Sequence, residues 1–328
     1  MTATPSNPLD EIAALVSSGQ RFLVSAHARP DGDALGSMLA TMHGLRALGK
    51  EVVAYDRDPA PERLRGLPGA TEIVTKPPKT RFDATFVHDC GDVRLLGDNF
   101  PPATVTGPIV VLDHHASSRP YGDVVLRDPT ASAVGVLVGR LMRHLGVRLT
   151  ADLAQCLWCS LASDTGWFRY SATDVETMQL ATDCVAAGAV PWRFARMAEE
   201  ESPPARLRLL REVLGTLEIL DIGPNRRAAF LAVEERHLSA ARAQPEMAEG
   251  FVNYARGLEG VEVGVLLQDT RQGIRVSLRG KGGLDVGAVA AAFDGGGHKN
   301  AAGCLLPAPL DEARRTLCAA LTAAPVAG

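Results

Sequence analysis

Short apolar runs rich in β-branched residues recur through the first half of the chain: FLVSA at 22–26, EVVAY at 51–55, ATFVH at 84–88 and IVVL at 109–112. Compact runs with little alternation belong to strands covered on both faces, which is the condition of strands in a parallel sheet. Between and after them the apolar period lengthens. ALGSMLATMHGLRALG and ASAVGVLVGRLMRHLG space their apolar residues as a helix does and stop at Gly49 and Gly146; glycine readily takes the left-handed conformation that closes a helix. Strands alternating with helices predict an α/β domain, a parallel sheet with helices on both faces.

The pattern then changes. Two helical stretches are predicted beyond Asp164, from Thr173 to Gly188 and from Trp192 toward Gly215, the second charged and interrupted by Pro203–Pro204. Strand-like segments follow, LEILDI, RAAFLAV, VEVGVLLQD and GIRVSLRG, then a helical stretch around Asp285–Phe293 and the glycine-rich DGGGHKNAAG. This predicts a smaller α+β domain. The expected division is a first domain over 1–190, a helical linker over 191–215 and a second domain over 216–328. Neither an internal repeat nor a low-complexity tract is evident beyond a Pro/Lys turn at 76–79.

Composition narrows the range of functions. A chain of 328 residues, 46% hydrophobic and 22% charged, has the material for two cores and hence a cleft. A net charge of −4 argues against a general duplex-binding role, which needs a broad basic face, so any nucleic-acid ligand should be small. The start MTATPSNPLDEIAALVSSG lacks the basic and apolar regions of a signal peptide, and no later run is long enough to span a bilayer. A cytoplasmic protein with no membrane partner is expected. Six cysteines over this length form no disulfide framework, and Cys156 and Cys159 lie in ADLAQCLWCSLASD, which reads as a buried helix and not as a redox or zinc motif.

Candidate chemistry gathers at the ends of the predicted strands, where an open parallel sheet presents its binding crevice. FLVSA is followed by His27, Asp31 and Asp33; ATFVH runs into Asp89; IVVL runs into Asp113, His114 and His115; and Asp164 ends an apolar helix before Thr165-Gly166. Asp33 alone could cap a helix and Asp31 alone could form a turn. Carboxylates at several apolar strand ends together are costly unless paired or metal-bound. Several aspartates with one or two histidines and no thiolate make a hard donor set, suited to manganese or magnesium rather than structural zinc. The donors exceed the needs of one ion, so a pair roughly 3.5–4 Å apart is the economical reading, and such a pair serves phosphoryl transfer.

The segments HARPDGDALGS, HDCGD, LDHHAS, SDTGWFRY and GGGHKNAAG, in this order, resemble the successive motifs of the DHH phosphoesterases with a DHHA1 C-terminal domain, over about Gln20 to Ala302. Within that family the resemblance is to the bifunctional oligoribonucleases and pAp phosphatases, the nano-RNases. It implies that 1–190 is the metal-binding DHH domain and 216–328 the substrate-binding DHHA1 domain. It also implies that His27 and Asp31 hold one ion, that Asp33 and His114 hold the other, and that Asp89 and Asp164 touch one or both, with Asp89 as the bridge. Asp113 would orient His114 or His115, and His115 would face the scissile phosphate as clamp or proton donor.

In the second domain the resemblance points to Gly295, Gly296, Gly297 and His298 as donors to a phosphate. It assigns Ser277 and Arg279 to the substrate's terminal phosphate, and Asn253 to a further contact. Arg275 and Lys281 read equally as a solvated edge. The implied substrates are short single-stranded RNA oligonucleotides of two to five nucleotides, small dinucleotides, and adenosine 3′,5′-bisphosphate (pAp), with two divalent ions as cofactors. The family often dimerises through its N-terminal domain, although no stripe in the sequence identifies such a surface. The competing readings are a cyclic di-AMP or pApA phosphodiesterase and, from another class, a catalytically inactive nucleotide-binding module. An inorganic pyrophosphatase has a different C-terminal domain, and a RecJ-type exonuclease usually carries an additional nucleic-acid-binding domain.

Overall fold

A computed structural model describes residues 7–325 apart from 117 and 120; of residue 298 it describes the backbone alone. The chain divides into two compact units, Met1–Glu201 and Ser202–Gly328.

In the first unit, α1 (Pro8–Ser18) leads into β1 (Arg21–Ala26), α2 (Gly32–Ala47), β2 (Glu51–Ala54), β3 (Ala84–His88), α3 (Ala103–Thr106), β4 (Ile109–Asp113) and β5 (Val124–Arg127). The helices α4 (Val134–His144), α5 (Ala151–Asp164), α6 (Val175–Ala186) and α7 (Pro191–Ala195) complete it. The strands form one parallel sheet in the order β2-β1-β3-β4-β5. Both faces are covered. Phe22, Val24, Phe86, Val110 and Leu112 pack under α2, α4 and α5, and Leu23, Tyr55 and Phe82 pack on the other face with Val105 of α3. This two-sided burial is why the strands read as continuous apolar runs. Gly49 and Gly146 close α2 and α4 with φ of 76° and 67°, the conformation that made glycine the expected stop. Cys156 and Cys159 are free and buried on α5, and burial raises both thiol pKa values, so they are core residues. A π-helical turn over Arg196–Glu200 follows α7.

The second unit runs α8 (Pro204–Leu214), β6 (Glu218–Gly223), β7 (Arg226–Val233), α9 (Glu235–Ala241), α10 (Val252–Arg256), β8 (Val263–Thr270) and β9 (Gly273–Gly280). It ends with α11 (Val286–Ala291), β10 (Gly296–His298), β11 (Ala301–Leu306) and α12 (Leu310–Ala323). Its mixed sheet has the order β10-β11-β9-β8-β7-β6, with β7 and β8 parallel and the other pairs antiparallel. One face carries α11 and α12, with Val286, Val289 and Leu317 in that core. The other carries α8, α9 and α10, through Leu209, Val213, Leu238 and Val252. The glycine-rich segment DGGGHKNAAG is in part strand, Gly296–His298 forming β10 and Ala301 opening β11. Among the described residues no helix is long and apolar enough to cross a membrane.

Candidate metal centre

Strand register assembles the site. Ala26, His88 and Leu112 lie abreast on β1, β3 and β4, so the next residues, His27, Asp89 and Asp113, lie side by side at the carboxyl edge of the sheet. The strand order turns back between β1 and β3, which makes this the topological switch point where open α/β sheets bind ligands. Asp31 is the N-cap of α2, its Oδ1 accepting the N–H groups of Asp33 at 3.0 Å and Ala34 at 3.1 Å. The capping aspartate is therefore Asp31. Asp33 lies two residues on, in the first turn of α2, completely buried, with the start of α4 against it: its Oδ2 accepts the Val134 N–H at 2.8 Å.

Three groups of side chains have ligand atoms within 4.8 Å of one another: His27, Asp31 and Asp89; Asp33, His114 and Asp164; and Asp89, His114 and His115. Nε2 of His114 lies 3.2 Å from Asp164, 3.5 Å from Asp33 and 3.8 Å from Asp89, and Nε2 of His27 lies 3.6 Å from Asp89. Both rings are set by their other nitrogen. Nδ1 of His27 donates to the Ala28 carbonyl at 3.0 Å and Nδ1 of His114 to the Ala131 carbonyl at 2.8 Å, a tautomer that leaves each Nε2 to face the carboxylates. Asp113 accepts from Nδ1 of His115 at 2.8 Å, so of its two candidate partners it holds His115.

Burial opposes every charge in this cluster, and the neighbours decide the outcome. Desolvation disfavours protonated His27, yet Asp89 and Asp31 beside it raise its pKa to about 10. Against the same burial, Asp89 and Asp113 raise His115 to about 9, and Asp164, Asp33 and Asp89 lift His114 well above its ordinary value. Burial raises Asp31 and Asp33, and repulsion from Asp89 and Asp164 adds to it. Asp89 shifts the other way: burial favours its neutral form, but His115, His27 and His114 surround it and lower its pKa. His88, one residue earlier, is completely buried, bonded to Thr41 and the Ser25 carbonyl, and burial pushes its pKa down to about 4. It is a neutral core histidine.

Several supports carried no signal in the sequence. Ser37 and Ser160 donate to Oδ1 of Asp33. Arg140 forks onto Glu176 at 2.8 and 2.6 Å and reaches Asp128 at 2.6 Å, tying down the loop whose Ala131 carbonyl orients His114. The backbone is left-handed at Arg29 (φ 58°), Asp89 (φ 52°), Trp167 (φ 63°) and Phe168 (φ 61°). Such conformations cost non-glycine residues about 1–3 kcal/mol each and cluster at functional sites. Arg29 is held there by Asp58, which accepts its N–H at 2.9 Å.

In the second unit, Arg279 of β9 lies between Gly264 and Ala301, and Ser277 between Leu266 and Gly303. Residues directly opposite in a sheet share a face. A Cβ on Gly264 would lie 2.5 Å from the Arg256 nitrogen and 2.8 Å from the Val252 carbonyl, so α10 sits against this face. Arg279, Ser277 and the helix carrying Asn253 therefore share one side of the sheet, and Arg256 is bonded there to the Gly280 carbonyl at 2.9 Å. The glycines differ. Added Cβ atoms on Gly295 and Gly297 would lie 2.3 and 2.4 Å from the carbonyls of Gly303 and Ala301, whereas one on Gly296 would meet nothing within 4 Å. Gly295 and Gly297 are required by strand packing, and Gly296 alone has open space. The backbone of His298 pairs with Ala301; its side chain lies outside the described residues.

A parallel α/β unit with aspartates and histidines at its carboxyl edge, followed by a mixed-sheet unit with an arginine-bearing face, is the build of the DHH phosphoesterases. The chain belongs to that family: it matches the DHH family, N-terminal domain, over residues 21–161 and the DHHA1 domain over residues 229–323. It is 31% identical, over 86% of its length and 83% of the relative's, to the bifunctional oligoribonuclease and PAP phosphatase NrnA of Thermus thermophilus. Its fold is similar to that of an exopolyphosphatase-related protein from Bacteroides fragilis, with a TM-score of 0.86, 23% identity and coverage of 98% and 97% of the two chains. RecJ of Thermus thermophilus in complex with Mn2+ is more distant, with a TM-score of 0.50, 17% identity and coverage of 98% of this chain and 55% of RecJ.

Proposed function

We propose that this protein is a dinuclear-metal phosphoesterase that hydrolyses short oligoribonucleotides to mononucleotides and pAp to AMP and phosphate. The observation that carries the reading is the pair of donor sets, His27, Asp31 and Asp89 beside Asp33, His114 and Asp164, joined through Asp89 and His114 in a third. The donors suit hard divalent ions, being carboxylates and imidazoles with no thiolate among them. Oδ1 of Asp89 and Oδ2 of Asp113 are buried without a hydrogen-bond partner among the described residues, and at Asp89 a cation would fill that place. One ion would be held by each set, with Asp89 shared. When bound, such a pair activates water and offsets charge on the phosphoryl oxygens. Manganese is the proposed ion and magnesium the alternative; the RecJ structure that shares the fold holds Mn2+.

The chain's own groups supply the remaining roles. His115, oriented by Asp113 and raised to about 9 in the metal-free cluster, is the group placed to donate a proton to a phosphoryl or leaving oxygen. Arg279 presents a planar fork to a terminal phosphate, with the Ser277 hydroxyl, Asn253 and the Gly295–His298 backbone amides as further donors. Of these positions, Gly296 has open space where a side chain would stand.

The net charge of −4 favours short single-stranded ligands over duplexes. Six free cysteines are consistent with a reducing, cytoplasmic setting. We put the connection between domains in the helical stretch 191–215, and the division at Glu201 and Ser202, which falls within it, supports that reading. Self-association is part of the reading, because α6 exposes Val175, Met178 and Val185 at helical spacing.

The test is turnover with excess Mn2+ on pAp, labelled dinucleotides and pentanucleotides, pApA and cyclic di-AMP. Release of AMP from pAp and of mononucleotides from the short RNAs is expected. Preference for pApA or cyclic di-AMP would reassign the substrate, and binding without turnover of any of them would make the protein a nucleotide-binding module.

A further inference from the structure

We infer that Ser160, with Ser37, is a positioning device that fixes the carboxylate plane of Asp33, holding one oxygen back on protein donors and turning the other toward a metal ion; the inference rests on the metal-centre reading above. Asp33, Ser37 and Ser160 are all completely buried. Oδ1 of Asp33 accepts from the Ser160 hydroxyl at 2.5 Å, from the Ser37 hydroxyl at 3.0 Å and from the Gly135 N–H at 3.4 Å. Oδ2 takes the Val134 N–H and lies 3.5 Å from Nε2 of His114. The two oxygens thus have different jobs: Oδ1 is taken up by protein donors, and Oδ2 faces the cluster with His114 and Asp164.

Hydrogen counting assigns Ser160 the larger part. Its hydroxyl has one hydrogen and two lone pairs. The Gly135 N–H occupies a lone pair at 2.9 Å, and the Asp33 carboxylate has no hydrogen to give, so the Ser160 hydrogen goes to Asp33; the single Ser37 hydrogen goes to Asp33 at 3.0 Å rather than to Ser160 at 3.3 Å. Backbone donors alone would leave the plane of the carboxylate loosely held, because the terminal torsion of aspartate is broad. Three helices meet to build the clasp: α2 supplies Asp33 and Ser37, α4 its first amides, and α5 Ser160.

Close packing explains why a hydroxyl fits there and little else does. A Cβ on Gly135 would lie 2.1 Å from Oγ of Ser160, and one on Gly36 would lie 2.6 Å from the Cys156 carbonyl and 2.8 Å from the Ser160 nitrogen. The glycines at these positions let α4 and α5 approach α2 closely enough for one hydroxyl to reach both the carboxylate and the start of α4. The strongly positive end of α4 adds a fixed field toward the same carboxylate.

The experiment compares Mn2+ binding, by calorimetry and by the EPR signal of free Mn2+, in the wild type, Ser160→Ala, Ser37→Ala and the buried control Thr85→Val. Thr85 bonds the Thr106 carbonyl at 2.7 Å near the far end of β3, so its loss is structural and remote. Loss of such an outer partner typically weakens metal binding by roughly 10–100-fold. Ser160→Ala should weaken one of two Mn2+ sites by that factor, with AMP release from pAp recovering to within a few-fold of wild type at saturating Mn2+. Ser37→Ala should show a smaller weakening, and Thr85→Val none. Wild-type affinity in folded Ser160→Ala would overturn the inference alone, and if that variant does not fold, unchanged affinity in Ser37→Ala does the same. A wild type that takes up no Mn2+ would overturn the metal-centre reading together with it.

Discussion

Removing the metal should lower the melting temperature of one unit and leave the other alone. Every donor in the three clusters belongs to Met1–Glu201, and Ser202–Gly328 has its own sheet and cores. An ion that binds only the folded state at a hundred times its Kd stabilises that state by about 2.7 kcal/mol, so two ions contribute about 5 kcal/mol. In a unit of about 200 residues, each kcal/mol moves Tm by about 2–4 °C, giving a difference of roughly 10–20 °C between the Mn2+-loaded and EDTA-treated protein. The repulsion that raises Asp31 and Asp33 in the metal-free cluster acts in the same direction. Differential scanning calorimetry on the full chain reads both transitions, and Asp33→Ala provides the reference in which the shift should shrink. A shift of about half that size would indicate one ion rather than two. Identical scans in Mn2+ and EDTA, or equal displacement of both transitions, would refute the reasoning.

Four further outcomes are expected. Asp89→Ala should lower kcat by on the order of 10²–10³-fold or more while the circular dichroism of the fold is retained, since it removes the carboxylate that both ions would share and with it their offset of charge on the phosphoryl oxygens. Arg279→Ala should instead act on KM, raising it by roughly tenfold or more, because a hydrogen bond to a charged group contributes about 1.5–3 kcal/mol. Folded, metal-free His27 and His115 keep their protons up to about pH 10 and 9, whereas unfolded histidine loses its proton near pH 6.5. Their stabilising contribution is therefore full below about pH 6.5 and lost as pH rises through 9–10; Mn2+ binding should tighten with rising pH and release protons, measurable by calorimetry in buffers of different ionisation enthalpy. Arg140→Ala should weaken Mn2+ binding through the Ala131 loop, and unchanged affinity would show that the His114 carbonyl contact holds without the Arg140 fork.

Much of the N-terminal sheet was legible because burial on both faces leaves a one-dimensional trace: FLVSA, ATFVH and IVVL coincide with β1, β3 and β4 within a residue at either end. Four of its residues, VVLR, make the edge strand β5; the apolar run VVL is only three residues long, and only Val124 among the four is buried. In the second unit GGGH has no strand propensity, yet Gly296–His298 pairs with β11 because Gly295 and Gly297 admit its carbonyls at distances no side chain tolerates. Helix α12 went unread although it closes one face of the C-terminal core with Ala313, Leu317 and Leu321.

The candidate site divides along a similar line. Charged groups at the ends of apolar strands conflict with their surroundings, and that conflict is visible in a string of letters; hence His27, Asp31, Asp33, Asp89, His114 and Asp164 could be picked out before any coordinates. Neutral supports create no such conflict. Ser160 on α5 looks like any small helix residue until α2 and α4 are brought against it, and its partner Asp33 is 127 positions away. Left-handed backbone at Asp89 is equally silent, yet it separates that carboxylate from His88, which the strand turns into the core beside Thr41. A chain could keep all six candidate ligands and still lose its ions if the clasp on Asp33 or the carbonyl behind His114 were disturbed. Metal affinity in this protein is therefore expected to depend on residues such as Ser160, Ser37 and Arg140 that the ligand motifs themselves do not contain.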